Sequence, residues 1–496
     1  MTPFPSSTVL GPSRTVFAPS FEDGEDGRFG ESLSIPSDPS TLYSMPTALA
    51  FSLADMTRSL LLVALLGLVT ASSTAQETPW TPLDPGSDNI TVLGHIPLGA
   101  PLNVMDMEVE QDLDRPFAYV SRGTVGQGRE RGTDFIDISD PTNPEVIYEW
   151  RIEDSDLHVG LGGMDIKYFK WDDRVYVVQS TQFGSSGPNA DLGAVIFDVT
   201  GLPDASSVRE VARIREPDLP GGFHNIFIYQ HSNGIPYLLT TIGGPQAHAY
   251  DLSKAVSGDV ENALASVIPG PESFVGPFQS YHDLYAGWHP DTETDRFYGG
   301  GTGGYYVYDI SDIASPSLLF SLTGINGVTY GHTFTPSPDG RYAVTETEYK
   351  YAPLRIFDMQ PLLDGERQSM RSPISAWTSH WKGLVHNHEV RWPYVFVSGY
   401  HDGLQIFSLM DPENPKTVGY YDTYTGSRAV GVMNGGVANG AFGVDVRNAD
   451  GLIVISDMST GFWTFRMDGF NGWNGEDWGH ANISSVQNWD DGPTGD

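Results

Sequence analysis

The chain has 496 residues, with 63 acidic against 27 basic side chains, a formal net charge of −36, 13 histidines and no cysteine. This charge argues against nucleic-acid binding, because a polyanion would meet a field of its own sign. Without cysteine there is no disulfide and no thiolate metal site, so any metal must be held by histidine, carboxylate or backbone oxygen. Such acidity is typical either of proteins from salt-loving microbes or of acidic secreted proteins.

The first segment, 1–55, is rich in Ser and Pro and has no apolar periodicity, which predicts either a mis-set gene start or a disordered leader. From Met56 the chain has one arginine, then an apolar run over 60–69, then small residues up to Ala75. That order is typical of a secretory signal peptide, 56–75, and the run is too short to span a bilayer. We therefore predict an exported protein, secreted, periplasmic or at the cell surface, without a transmembrane anchor in the mature chain.

After a linker, 76–87, one pattern recurs seven times: a short apolar run, a marked residue and another apolar residue. The marked residues are Asp137, Asp198, Asp251, Asp309, Asp358, Ser408 and Arg466. They recur roughly every 55 residues, with β-rich runs and turn residues between them, which predicts four strands per unit. Seven such units are typical of an all-β fold, the seven-bladed β-propeller.

The seventh unit lacks a fourth strand, whereas an extra strand, NITVLGHIPLG at 89–99, precedes the first unit. Pairing this N-terminal strand with the last unit would close the ring and protect two exposed sheet edges. We therefore predict one propeller domain over 88–468. The remaining residues, 469–496, are predicted to form a C-terminal tail that packs on the propeller.

The repeat is most complete at 394–419, YVFVSGYHDGLQIFSLMDPENPKTVG, and at 117–147. It resembles the LVIVD-repeat β-propellers, including exported bacterial proteins grouped as the choice-of-anchor B family. The resemblance covers essentially the whole mature chain and implies the fold and export, but it implies no particular activity. Ser408 and Arg466 depart from the repeated aspartate of that family.

The repeated aspartates precede turns that contain Ser, Thr or Pro. A carboxylate at such a position normally accepts hydrogen bonds from backbone N–H groups of the turn. We therefore predict a structural role for these five residues: Asp137, Asp198, Asp251, Asp309 and Asp358.

Alignment of the predicted inner strands places histidine at one position in four successive units: His224, His282, His332 and His388. The other three units have Met105, Met164 and Val444 at this position. Three interpretations remain open. The imidazoles join neighbouring blades through hydrogen bonds, or they bind a transition metal (copper, zinc or iron), or they belong to a ligand-binding rim without metal. His386 is either an additional ligand or a solvent-exposed histidine at the start of the strand.

Antiparallel pairing returns the turn between the second and third strands of each blade to the face where the inner strands begin. A polar funnel at this end of the channel is a candidate binding site. Besides the histidines, we expect its rim to contain Arg122, His248, Tyr349 and His401.

No nucleophile elbow, phosphate-binding loop or paired-histidine zinc motif occurs in the sequence, so catalytic residues remain unassigned. We expect a monomeric, exported binding or scaffolding module for an unidentified protein, glycan or small molecule. The alternative is a His-ligated metalloenzyme, of the oxidase or hydrolase type, with a metal in the channel mouth.

Overall fold

The computed structural model describes residues 85–124, 130–153, 160–184, 190–270, 279–380, 383–424, 439–486, 489–490 and 492–495. These residues belong to one compact unit, Trp80–Asp496. The predicted leader, 1–55, and the predicted signal peptide, 56–75, lie outside the described residues, as do residues 76–84 of the linker.

Strands rich in β-branched and aromatic residues form seven sheets, each built mainly from four antiparallel strands. The first strand of the chain is β1 (Ile90–Ile96). Blade 1 then contains β2 (Met107–Val109), β3 (Phe117–Arg122), β4 (Gly132–Asp137) and β5 (Glu145–Arg151). Blade 2 contains β6 (Gly162–Trp171), β7 (Arg174–Gln182), β8 (Leu192–Asp198) and β9 (Arg209–Arg215). Blade 3 contains β10 (Phe223–Gln230), β11 (Pro236–Ile242), β12 (Ala247–Asp251) and β13 (Leu264–Ile268).

The next blades follow the same order of strands. Blade 4 contains β14 (Tyr281–His289), β15 (Thr294–Gly301), β16 (Gly304–Asp309) and β17 (Ser317–Thr323). Blade 5 contains β18 (Phe334–Pro336), β19 (Tyr342–Thr345), β20 (Leu354–Asp358) and, after the short strand β21 (Ser369–Met370), β22 (Ser375–Trp377). Blade 6 contains β23 (Asn387–Arg391), β24 (Tyr394–Ser398), β25 (Leu404–Ser408) and β26 (Lys416–Tyr421). Blade 7 contains β27 (Ala441–Arg447), β28 (Leu452–Asp457) and β29 (Gly461–Met467).

The fourth strand of blade 7 is the N-terminal strand β1, which pairs antiparallel with β29. The pairing runs from Ile90 opposite Met467 to Ile96 opposite Phe462. This confirms the predicted closure and completes a seven-bladed β-propeller. The first strands of successive blades contact one another around the central channel, including β27 with β2.

Two details of the fold were not predicted. Blade 4 has a fifth strand, because β21 leaves blade 5 and pairs in parallel with β17. Two short α-helices, α1 (Leu252–Val256) and α2 (Gln360–Leu363), replace the simple turn after the third strand in blades 3 and 5. Among the described residues, no helix has the length and apolar character that crossing a bilayer requires.

The five repeated aspartates have the predicted structural role. In each case one carboxylate oxygen accepts a hydrogen bond from a backbone N–H two or three residues later, as Asp137 does from Ser139 (2.8 Å). Ser408 substitutes for aspartate in blade 6, since its hydroxyl accepts from the backbone N–H of Met410 (3.2 Å). Arg466 instead contacts Asp450.

Residues that follow β29 pack on the propeller. Trp473 and Trp489 are buried, and the indole N–H of Trp473 donates to the carbonyl of Trp392 (2.8 Å). Ser485 accepts a hydrogen bond from Arg391 Nη1 (2.7 Å), and Arg391 is completely buried in blade 6. This segment therefore covers the channel at the end opposite to the starts of the inner strands.

Candidate metal centre

Equivalent backbone hydrogen bonds define the first row of side chains at the start of the inner strands. The N–H groups of Met105, His332 and His386 each donate to a carbonyl at the end of the second strand of the same blade. In chain order, the first row consists of Met105, Met164, His224, His282, His332, His386 and Phe442.

The structure corrects the expected alignment in blades 6 and 7, where His388 and Val444 were expected in the first row. His386 and Phe442 occupy those places, two residues earlier in the chain. A shift of two residues keeps the same face of a strand, so the alternation of polar and apolar residues could not detect the error. His386 is also buried rather than solvent-exposed.

The four histidines of the first row form a continuous series of ring contacts. The ring centroids of His224 and His282 are 5.1 Å apart, those of His282 and His332 are 4.3 Å apart, and those of His332 and His386 are 5.2 Å apart. His386 also stacks on Phe442 at 3.6 Å. The structure therefore brings together three of the four predicted ligands, with His386 in place of the fourth. His388 lies deeper in the channel wall, and burial lowers its pKa to about 3.

Two glutamates complete this cluster, and both lie in the loop between β19 and β20. Glu348 Oε2 is 3.6 Å from His282 Nε2 and 3.8 Å from His332 Nε2. Glu346 Oε2 is 2.8 Å from the other ring nitrogen of His332, Nδ1. One donor atom from each of His282, His332 and Glu348 lies within 4.8 Å of the other two. We refer to these three residues as the His–Glu cluster.

The backbone around the His–Glu cluster is unusual. Glu348 has φ 48° and Tyr400 has φ 44°, in the left-handed region that non-glycine residues seldom adopt. The Tyr400 hydroxyl donates to Glu348 Oε1 (2.6 Å), which leaves Oε2 directed at the two imidazoles. Conformations of this kind cost free energy and concentrate at functional sites.

In three of the four imidazoles Nδ1 has a polar contact, whereas His282 Nδ1 is buried without a hydrogen-bond partner among the described residues. His224 Nδ1 contacts Gln182 Oε1 (2.9 Å), and His386 Nδ1 contacts the backbone carbonyl of Phe442 (2.8 Å). His332 Nδ1 contacts Thr333 Oγ1 (2.9 Å). Because a carbonyl can only accept, His386 must carry its hydrogen on Nδ1, so the lone pair of the neutral ring is on Nε2.

Burial and mutual repulsion keep most of these imidazoles neutral. Burial, together with the nearby charge of His332, lowers the pKa of His224 to about 4 and places the pKa of His282 and His386 well below the usual value. His332 differs: burial alone would lower its pKa, but Glu346 and Glu348 raise it to about 9. Burial raises the pKa of Glu346 to about 7. Without a metal, His332 is therefore protonated, and its positive charge lies between Glu346 and Glu348.

The geometry of the His–Glu cluster is close to that of a metal site. Two ligand atoms at ~2.1 Å from a tetrahedral Zn²⁺ lie about 3.4 Å apart. The two histidine-to-Glu348 distances, 3.6 and 3.8 Å, exceed this value by a few tenths of an ångström. His332 Nε2 is buried and has no hydrogen-bond partner in the part of the chain that the structure describes. The side chains of His282 and Glu348 retain 19% and 24% exposure, so an ion could reach them from solvent.

The residues predicted to form the rim do not join this cluster. Arg122 is buried and forms ion pairs with Glu130 (2.9 Å) and Asp134. His248 lies on β12, the third strand of blade 3, where Nδ1 contacts Glu216 Oε1 at 2.9 Å.

The other two rim residues lie nearer to the mouth. The Tyr349 hydroxyl is 2.9 Å from Thr329 Oγ1, and Tyr349 follows Glu348 directly in the same loop. His401 stacks on Tyr424 with a centroid distance of 4.4 Å. Neither residue contributes to the set of donor atoms formed by His282, His332 and Glu348.

Sequence analysis missed Glu346, Glu348 and Tyr400. The rule for antiparallel pairing predicted that the turn containing Glu348 lies on this face, but neither glutamate was considered as a ligand. The available signal was the presence of two carboxylates in the turn that faces the histidines, directly after a buried strand. Comparison of the chain with protein-family models and with curated proteins finds no match, so the assignment of a function depends on this geometry.

Proposed function

We propose that the protein binds a transition-metal ion at the His–Glu cluster, with His282 Nε2, His332 Nε2 and a Glu348 carboxylate oxygen as ligands. The observation that carries the proposal is His332 Nε2, which is buried, has no hydrogen-bond partner among the described residues, and faces a carboxylate and a second imidazole. A metal ion would replace the proton that His332 otherwise holds between Glu346 and Glu348.

The surroundings of His332 support this assignment. Metal-bound histidines usually present one nitrogen to the metal while the other contacts a carboxylate, a carbonyl or water. His332 has this arrangement, with Thr333 and Glu346 at Nδ1. Imidazole and carboxylate donors suit zinc, copper and iron, and the absence of cysteine leaves imidazole as the chemically preferred ligand for such metals.

Three protein ligands on a partly exposed site leave coordination positions for water or substrate, as in catalytic rather than structural metal sites. This favours a His-ligated metalloenzyme of the oxidase type with copper or iron, or of the hydrolase type with zinc. Tyr330 stacks on His282 at 4.9 Å and Tyr400 binds Glu348, so both tyrosines border the place where a substrate would approach.

A second candidate function is supported by contacts that need no metal. His386 binds the Phe442 carbonyl of blade 7, and His224 binds Gln182 of blade 2, so these imidazoles join neighbouring blades. If this is their only role, the propeller is a binding or scaffolding module. In either case we propose export through the segment 56–75 and a relationship to the LVIVD-repeat propellers, on the basis of the sequence pattern.

Metal analysis distinguishes the two functions. Protein stripped with a chelator, then incubated with Zn²⁺, Cu²⁺ or Fe²⁺ and dialysed, should retain one equivalent of at least one metal. The double variant His282→Ala/His332→Ala should retain none. A matched control, His95→Ala/His480→Ala, removes two histidines outside the cluster and should behave as wild type. Wild-type protein that retains no metal, or a cluster variant that retains as much as wild type, would refute the metal site.

A further inference from the structure

A second polar cavity lies inside the channel, deeper than the first row. Its volume is about 60 Å³, and it is lined by the inner strands of all seven blades and by Ser485 and Val486 of the C-terminal segment. We call it the inner chamber. A water molecule needs roughly 10–15 Å³ of such volume, so the inner chamber has room for several.

Acidic side chains dominate the wall of the inner chamber. Six carboxylates line it: Asp106, Glu108, Asp165, Asp283, Glu389 and Asp445. Five of the seven blades contribute to this set, so the excess of acid does not arise from a single turn or loop.

Only two cationic side chains face these carboxylates in the described part of the wall. Lys167 Nζ lies 2.7 Å from Asp165 and 3.4 Å from Glu108. Arg391 lies 3.0 Å from Glu389 and 3.5 Å from Asp445. The wall therefore carries more negative charge than its own cations neutralise, and buried charge of this kind needs a counter-charge.

Thr333 Oγ1 lies in the wall of the inner chamber, where it also contacts His332 Nδ1 (2.9 Å). Thr333 Oγ1 lies 2.8 Å from Asp283 Oδ2 and 2.9 Å from Asn387 Oδ1, yet a hydroxyl can donate to only one of these oxygens. Rotating the Asn387 amide would satisfy Thr333, but its oxygen would then face Asp106 Oδ2, which is 3.1 Å from the amide nitrogen now. With the amide as placed, one of the two contacts at Thr333 lacks a hydrogen; with the amide rotated, the Asn387–Asp106 contact needs a proton on Asp106, so these oxygens need either a proton or a cation beside them.

His388 provides an independent sign that the inner chamber holds a polar occupant. This histidine is 2% exposed and lines the inner chamber; the backbone of Val344 lies close to its ring, but neither ring nitrogen has a well-aligned hydrogen-bond partner among the described residues. A buried neutral imidazole needs one donor and one acceptor, and ordered water can supply both.

We propose that the inner chamber binds a hydrated divalent cation of the hard, oxygen-preferring type, Mg²⁺ or Ca²⁺. The available donors are carboxylate, hydroxyl and amide oxygens, which these ions prefer over imidazole. Among the described residues, the chamber carboxylates do not form a group of three within 4.8 Å of one another, as the His–Glu cluster does. The ion therefore keeps part of its hydration shell, and its waters contact the wall and His388.

Two carboxyl groups in the wall of the inner chamber have raised pKa values. Burial, with the neighbouring Asp165 and Asp283, raises the pKa of Asp106 to about 8, and burial with Glu389 raises the pKa of Asp445 to about 7. Protons and a divalent cation are alternative ways to balance the same charge, so they compete for the inner chamber.

Isothermal titration of chelator-treated protein with Mg²⁺ and, separately, Ca²⁺ tests this proposal. Wild-type protein should give saturable binding of one equivalent of at least one of the two ions. Asp106→Asn/Asp283→Asn should weaken binding at least tenfold. The matched control Glu261→Gln/Glu366→Gln removes the same number of charges at two exposed positions and should bind as wild type does.

The chamber carboxylates lie outside the His–Glu cluster, so His282→Ala, which keeps the contact between His332 and Thr333, should bind Mg²⁺ or Ca²⁺ as wild type does. If that variant loses transition metal and keeps the hard cation, the two sites are distinct. If Asp106→Asn/Asp283→Asn fails to fold, Glu108→Gln takes its place, with an expected weakening of at least threefold. Absence of saturable binding of both ions to wild type, or unchanged binding in the chamber variants, would overturn the proposal.

Discussion

The first row of the propeller has two chemically different halves. In blades 3 to 6 it consists of histidine, whereas in blades 7, 1 and 2 it consists of Phe442, Met105 and Met164. The apolar half packs with Leu384, Tyr400 and Met458 into a buried hydrophobic cluster. The same backbone position therefore accommodates a histidine in some blades and a large apolar side chain in others.

This difference separates what the fold requires from what the histidines add. Large apolar side chains fill the row in three blades, so packing alone does not demand imidazole. In the histidine half, by contrast, the rings contact Glu346 and Glu348, and two nearby residues have left-handed backbone conformations. One buried ring nitrogen also has no hydrogen-bond partner among the described residues. Such costs are expected where a site binds something. We infer that the apolar half stabilises the ring and the polar half carries its function.

The largest effect on stability should come from the apolar half. Met105 is completely buried, so Met105→Ala should lower the free energy of unfolding by ~2–5 kcal/mol through lost burial and a residual cavity. Urea denaturation measures this change. The metal content of the folded variant should equal that of wild type, and a variant that loses metal while remaining folded would contradict the division into two halves.

The histidine half should show the opposite pattern. His282→Ala removes a proposed metal ligand, and its side chain is 19% exposed, so little core packing is lost. The affinity for the transition metal should fall by more than ~100-fold, which exceeds the loss expected for a residue that contacts only a ligand and not the metal. The urea midpoint without metal should change much less than in Met105→Ala. Competition with a chromophoric chelator gives the affinity. Equal metal affinity in His282→Ala and wild type would show that His282 is not a ligand.

A smaller effect is expected at Glu346, which contacts His332 on the side away from the proposed metal. Glu346→Gln keeps the shape of the side chain and removes its charge, so metal affinity should fall by ~10–100-fold. The same chelator competition applies, with Glu261→Gln as the exposed control. A loss as complete as that of His282→Ala would instead make Glu346 a direct ligand.

The last prediction concerns pH and the inner chamber. In the folded protein Asp106 has a pKa of about 8, raised mainly by burial, against 3.8 as its ordinary value. Between these values the folded state holds a proton that the unfolded state has released, so stability should fall as pH rises from about 4 to about 8. The slope is about 1.4 kcal/mol per pH unit for such a group. Urea denaturation of chelator-treated protein at several pH values gives the free energy of unfolding as a function of pH. In Asp106→Asn this free energy should fall less steeply with pH than in wild type, by the contribution of about one proton. An unchanged slope would contradict this account.

The sequence predicted the fold because the repeat is local and redundant. Each blade repeats a strand, a turn aspartate and a second strand, and Asp137 and its equivalents bind the turn backbone as expected. Closure was also predictable, since seven units were one strand short and β1 was one strand in excess. The exchange of β21 between blades 5 and 4 could not be predicted, because a two-residue parallel pairing has no sequence pattern of its own.

The candidate site was less predictable, for two physical reasons. His386 and His388 are two residues apart on one strand, so only the backbone register places His386 in the first row. Glu348 reaches the histidines of two blades because its backbone adopts φ 48°, and a loop conformation of this kind is set by tertiary contacts such as the Tyr400 hydrogen bond. Histidines on one repeat position were a sufficient signal for the place, but not for the complete set of ligands.

The central claim is that the histidine half of the first row holds a transition metal. Anomalous diffraction from crystals of the protein loaded with zinc or copper tests this claim most directly. We predict one strong peak ~2.0–2.2 Å from His282 Nε2, His332 Nε2 and a Glu348 carboxylate oxygen. The absence of a peak at these residues in crystals of metal-loaded protein, or a peak on His388 or the exposed histidines instead, would contradict the account.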